Sequence, residues 1–264
     1  MKLFLLPLLI VLLTGCDQIN KVAQAVTKKM EAGNSNTNKK EKKKKQRKRD
    51  GLVVSKRKDG SILSEINLKD GKYHGPSKDY YEDGTLRTEY NYVAGVLEND
   101  LKVYHKNGKL YKLTPYVHGK IHGTEKIYST EGKLIAEHPY KNGFPGIGLK
   151  AYSNQGKVVP FKESIVVEEI DNIALKEEYI LKISLSDKTR QVKFYIGELT
   201  EGKYMNDKLR NILTRNGVGE IRYAVPAGFY AMEKLNIIAV KSTGEGGKYI
   251  TQTRFNLAIE NKDL

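Results

Sequence analysis

Few side chains in this chain are suited to chemistry. Its 264 residues include one cysteine, five histidines and 17 tyrosines, with no tryptophan. Cys16 is alone, which excludes an internal disulfide and any zinc cluster built on cysteines. The histidines (His74, His105, His118, His122 and His138) are the candidate metal ligands, and all lie between residues 51 and 159. Glu168-Glu169 and Glu177-Glu178 are candidate acid–base pairs, but adjacent strand residues point to opposite faces, so neither pair converges. Residues 160–264 contain no histidine, no G-x-S-x-G nucleophile turn and no phosphate-cradling glycine loop. The expectation is a protein that is not an enzyme and holds no cofactor or metal.

The cysteine takes its meaning from the residues before it. Lys2 is followed by an apolar run, Leu3 to Leu13, interrupted by Pro7. A membrane-spanning helix needs roughly 20 apolar residues, so this run reads as the core of a secretory signal instead. Leu13-Thr14-Gly15-Cys16 resembles the bacterial lipobox. The resemblance implies a signal peptide over 1–15, cleavage between Gly15 and Cys16, and fatty acyl chains, palmitate among them, on Cys16. Several acyl chains on one residue anchor more firmly than one, which binds only marginally. The expected location is the cell envelope, with the membrane as partner through Cys16.

A net charge of +15 first suggests a nucleic-acid partner. Its distribution argues otherwise. Residues 39–49 (KKEKKKKQRKR) carry nine cations and one anion, whereas 51–159 and 160–264 carry net +5 and +1. Like charges in a block repel, so residues 31–50, which also include the polar stretch EAGNSNTN, read as an extended tether. Ile19, Val22, Ala23, Val26 and Met30 recur at helical spacing, which gives a short amphipathic helix over 17–30. Residues 16–50 are therefore a lipidated, basic tether, its cations either a solvated spacer or a contact to an anionic surface such as phospholipid head groups, and no nucleic-acid partner is expected.

Residues 51–159 repeat every 24 positions. Gly60, Gly84, Gly108, Gly132 and Gly156 form one series and Gly71, Gly95, Gly119 and Gly143 a second. Tyr80, Tyr104, Tyr128 and Tyr152 are in phase, as are Tyr92, Tyr116 and Tyr140. Asp83-Gly84 and Asn107-Gly108 predict type I′ hairpin turns, and the second glycine series predicts the return turn to the next hairpin. Each unit is two strands and two turns. A lone hairpin is marginal in water, so the units must join into one single-layer antiparallel sheet, about 45 Å long at 4.8 Å per strand. The two tyrosine series would form ladders along it and are the candidate binding face. His74 and His122, the only histidines in equivalent positions, would then lie roughly 19 Å apart, too far to share a metal at about 2 Å per bond. The histidines are expected at turns on a solvated edge.

The unit from Asp70-Gly71-Lys72-Tyr73-His74-Gly75 through Tyr80 to Gly84-Thr85-Leu86 resembles the MORN repeat, in the bacterial variant found in YwqK-type antitoxins and many lipoproteins. His118-Gly119-Lys120-Ile121-His122-Gly123 opens a close match. The second unit departs at Asn99, where the family has its second glycine, and the fourth reads Phe144-Pro145-Gly146-Ile147. The resemblance implies a non-enzymatic scaffold binding a protein or glycan partner, or alternatively an immunity protein that neutralises a toxin.

Past Pro160 the composition shifts. Strands are predicted at 164–170, 178–185, 191–196, 219–225, 235–241 and 249–259, with turns at Asn216-Gly217 and Pro226-Ala227-Gly228. Residues 204–214 admit a short helix. Some seven short strands in a hundred residues suit a small β-sandwich over 160–264, loosely similar to immunoglobulin-like modules but lacking their cysteine pair and tryptophan. The fold class expected for the whole is all-β.

Overall fold

The computed structural model describes residues 50–244 and 246–262. The signal run, Gly15, Cys16 and the basic tether lie outside the described residues. What is described is nearly all strand, as expected.

The repeats form one twelve-stranded antiparallel sheet whose neighbours follow chain order. Its strands are β1 (Gly51–Lys56), β2 (Ile62–Lys69), β3 (Lys72–Tyr80), β4 (Leu86–Val93), β5 (Val96–Tyr104) and β6 (Leu110–Val117). They continue as β7 (Lys120–Ile121), β8 (Gly123–Tyr128), β9 (Leu134–Lys141), β10 (Phe144–Pro145), β11 (Lys150–Tyr152) and β12 (Val158–Val159). β7 with β8, and β10 with β11, are each the two halves of what is a single strand in β3 and β5.

Both glycine series sit at turns, but the type I′ turns expected at Asp83-Gly84 and its equivalents lie in the second series instead. At Asp83-Gly84 only the glycine has positive φ; the Gly84 amide donates to the Tyr81 carbonyl and the Tyr81 amide to the Thr85 carbonyl. That is a three-residue loop closed by a glycine bulge, repeated at Gly60, Gly108, Gly132 and Gly156. The two-residue turns lie in the other series. Asp70-Gly71, Ala94-Gly95, His118-Gly119 and Asn142-Gly143 all have positive φ at both residues, as a type I′ turn requires. Register explains this placement: Lys69 pairs with Lys72, leaving only two residues to turn, whereas Tyr80 pairs with Leu86. Asn99 fills the departing position with φ of 65°, beside Gly75 and Gly123 in the same left-handed region. Asparagine tolerates that region better than most residues with a Cβ, so the second unit keeps its geometry.

The C-terminal part is a sandwich of two four-stranded sheets. Its strands are β13 (Ile165–Asn172), β14 (Glu178–Leu185), β15 (Val192–Ile196), β16 (Arg210–Ile212), β17 (Thr214–Arg215), β18 (Val218–Ala224), β19 (Tyr230–Ser242) and β20 (Lys248–Glu260). One sheet runs β13-β14-β18-β17 and the other β16-β15-β19-β20. Alternate residues of both inner faces make one core: Leu181, Ile183 and Leu185 meet Phe194, Leu235, Ile237 and Leu257, all fully or almost fully buried. The 204–214 segment is not helical. Phe194 pairs with Ile212, so its end is recruited as β16, and Asn206 holds the preceding loop by donating to the Glu198 carbonyl. A single helical turn, Ile173–Lys176, joins β13 to β14.

The fourth unit departs from the repeat because it meets the sandwich. Gly146 bridges Tyr204, the Ile147 amide donates to the Lys203 carbonyl, and the Met205 amide donates to the Pro145 carbonyl, each bond 2.9 Å. A Cβ on Gly146 would stand 2.7 Å from the Tyr204 ring, so only glycine fits. Leu149 packs on Ile127 and Ala136, and Phe161 stacks on Tyr249 at 4.6 Å.

Candidate functional site

The tyrosines divide between the two faces of the repeat sheet. The hydroxyls of Tyr80, Tyr104 and Tyr152 donate to Glu65, Glu89 and Glu137 at 2.8, 3.1 and 2.7 Å. Each glutamate lies 15 residues before its tyrosine, so the contact is itself a repeat. Tyr128 belongs to the same series, and Leu113 stands where its glutamate would be.

These glutamates belong to a row that crosses the sheet. Glu65 pairs with Lys78, Lys78 with Glu89, Glu89 with Lys102, Lys102 with Leu113, Leu113 with Lys126, Lys126 with Glu137, and Glu137 with Lys150. Opposite charges directly across a ladder stabilise by a few tenths of a kcal/mol up to ~1 kcal/mol per pair. Lys102–Glu89 and Lys126–Glu137 close to 3.8 and 3.7 Å. The glutamates and lysines recur every 24 residues, in phase with the glycines and tyrosines, a signal present in the sequence.

The second tyrosine series lies on the other face. Tyr90 donates to Asp79, the neighbour of Lys78, at 3.1 Å, and Tyr92 packs its ring against Tyr90 and Tyr73. Tyr92 is 4% exposed. Burial pushes the phenols of Tyr92 and Tyr116 up to about 12 and that of Tyr140 higher still. On this face Tyr92 is buried and Tyr116 and Tyr140 are half-buried, while the Tyr80 series is half-buried beside the charged row on the other.

Each histidine has a structural place. At the position shared by Arg57, Tyr81 and His105, the side chain donates to the carbonyl of the tyrosine 23 residues on: Arg57 to Tyr80 at 2.5 Å, Tyr81 to Tyr104 at 2.7 Å, and His105 Nε2 to Tyr128 at 3.1 Å. Three different donors make the same staple between successive units. A second shared position holds the next I′ turn, where the Ala94 amide donates to His74 Nδ1 at 3.3 Å and the His118 amide to Glu98 at 2.9 Å. His122 Nδ1 lies 3.2 Å from Asn142 Oδ1 at the corresponding place. His138 departs from the expected solvated edge: it lies inside β9, fully buried, with neither ring nitrogen hydrogen-bonded. It faces Glu125, whose carboxylate takes the Thr114 hydroxyl at 2.9 Å and Lys112 at 3.1 Å. Desolvation first, then Lys248 and Lys112, lower the His138 pKa to about 4. The imidazole is neutral at ordinary pH.

Residues 73–94, 97–118 and 121–142 match the family model of the MORN repeat variant, and their starts fall 24 residues apart. These three units are MORN-variant repeats. The matches cover the second unit, with Asn99, and end before the fourth, which the sandwich has reshaped. No curated protein matches the chain. MORN repeats generally serve as binding or scaffold modules, and the geometry agrees with such a use. It presents a stiff, stapled sheet with one packed face and one face of half-buried tyrosine and alternating charge. Where the repeats meet the sandwich, Tyr140, Lys141, Glu201, Lys203 and Tyr204 line a cleft of about 240 Å³, with Lys141 paired to Glu201. Of the carboxylates noted in the sequence, Glu169 accepts from Tyr179 and Glu178 from Arg222, so both are held in structural contacts.

Proposed function

We propose that this protein is an envelope lipoprotein, anchored through acyl chains on Cys16, whose MORN-variant sheet is a non-enzymatic scaffold for a protein or glycan partner. The observation that carries the scaffold reading is the face bearing Tyr80, Tyr104, Tyr128 and Tyr152 beside the Glu–Lys row. Tyrosine offers an apolar ring and a polar tip, which suits contact with sugars and peptides alike. The anchor rests on Leu13-Thr14-Gly15-Cys16 and on the lone cysteine. The sandwich we read as immunoglobulin-like. Lettered in chain order its sheets run A-B-E-D and C′-C-F-G, an order that supports that reading.

Two experiments test this. Labelling with a radioactive fatty acid should mark the wild type and not Cys16→Ala, which should also keep its signal peptide; an unlabelled wild type removes the anchor. Cross-linking in envelopes should lose the captured partner when Lys102 and Tyr104 are both replaced by alanine. Capture that survives this change in a folded protein places binding elsewhere.

A further inference from the structure

The repeat sheet ends in an open strand. Among the described residues β1 pairs only with β2, so on the far side of Gly51–Lys56 the N–H and C=O groups of alternate residues are unpaired. Of the usual guards the strand carries a single charge, Lys56 at its end. It contains no proline, and the register shift beside Lys56 places the extra residue in β2, leaving β1 regular. Leu52 is 57% and Val54 42% exposed. The other end of the sheet, β12, is two residues long.

From this edge we propose that β1 pairs with β1 of a second copy, antiparallel, about a twofold axis at Val53. In that register Val53 meets Val53 of the other copy, Leu52 meets Val54, Gly51 meets Ser55, and Lys56 meets Asp50. The segment DGLVVSK is thus self-complementary: apolar residues oppose apolar ones and a cation opposes an anion at both ends. Lys56 and Asp50 are both exposed, and one Asp50 oxygen takes the Gly71 amide at 3.3 Å. A register centred one residue earlier or later would set Leu52 on Leu52 or Val54 on Val54, and in neither would Lys56 face Asp50. Self-pairing about Val53 satisfies the edge's hydrogen bonds, covers Leu52 and Val54, and joins two repeat sheets into one.

The test is disulfide trapping in the full chain, in detergent, with Cys16→Ser so that the introduced thiol is the only one. Directly paired residues have Cα atoms about 4.5–5.5 Å apart, within disulfide reach. Val53→Cys should therefore oxidise mainly to a covalent dimer. Lys56→Cys should stay monomeric, since its two copies would be roughly 20 Å apart, yet it should cross-link to Asp50→Cys when the two are mixed. In the Val53→Cys background, Lys56→Asp should cut the dimer yield about tenfold and Lys56→Asp with Asp50→Lys should restore it. A chain that keeps its β circular dichroism while Val53→Cys stays monomeric overturns the proposal, as does equal trapping at 53 and 56 or a double swap that restores nothing. Removing Cys16 keeps this result separate from the lipid anchor.

Discussion

His138 turns one buried side chain into a pH dependence. Its pKa is lowered to about 4 in the folded chain, while in the unfolded chain it returns to near 6.5. Between those values the unfolded state binds more protons, so stability is full above pH 6.5 and is lost as pH falls toward 4, on the order of 3 kcal/mol. Urea midpoints across that range should show the fall, and His138→Leu should flatten it; a parallel fall in the variant would assign the effect to carboxylates. Glu131, held at about 2 by the Ser129 and Thr130 hydroxyls, acts in a lower window, from 4.5 down. The inter-unit staples belong to the same scale. Tyr81→Phe deletes only the hydroxyl on the Tyr104 carbonyl and should cost about 1 kcal/mol in chemical denaturation.

A unit is set by its turns, and Gly84 tests that directly. Its φ of 85° lies where a Cβ is disfavoured, with open space around it, so Gly84→Ala should cost about 1–2 kcal/mol from backbone strain alone. A neutral result in denaturation would mean the loop relaxes. The period-24 glycines and tyrosines were legible because every unit solves the same backbone problem at the same place. The alternating Glu–Lys row was equally periodic and went unread. Turn type was misassigned because Asp-Gly and Asn-Gly signal more than one glycine turn, and only strand register, which sequence does not display, separates them. The histidine at 138 had no periodic signal, since Ile66, Tyr90 and Thr114 occupy its position in the earlier units. Thr114 is buried at the same position one unit earlier, and beside the imidazole stands the Tyr140 ring at 4.7 Å, with the Lys248 charge of β20 acting on it.

The two folds carry their stability differently yet are joined by backbone. The sandwich has a true core, and Phe194→Ala at its centre should cost about 3–5 kcal/mol. The repeat sheet has only small clusters and depends on ladders and staples. Because Pro145, Gly146 and Ile147 pair with residues 203–205, the intact protein should melt in one calorimetric transition. Gly146→Val, which drives a side chain into the Tyr204 ring, should split that transition in two; a single unshifted peak would show that the seam couples nothing. The seam also makes the repeat count a length setting. The array is closed at the fourth unit and can grow only upstream of it, so inserting one more 24-residue unit between Gly95 and Gly119 would lengthen the path from β1 to the sandwich by two strand spacings, about 10 Å, without altering either end. Variation in unit number among related chains would then be read as a change of span at constant chemistry.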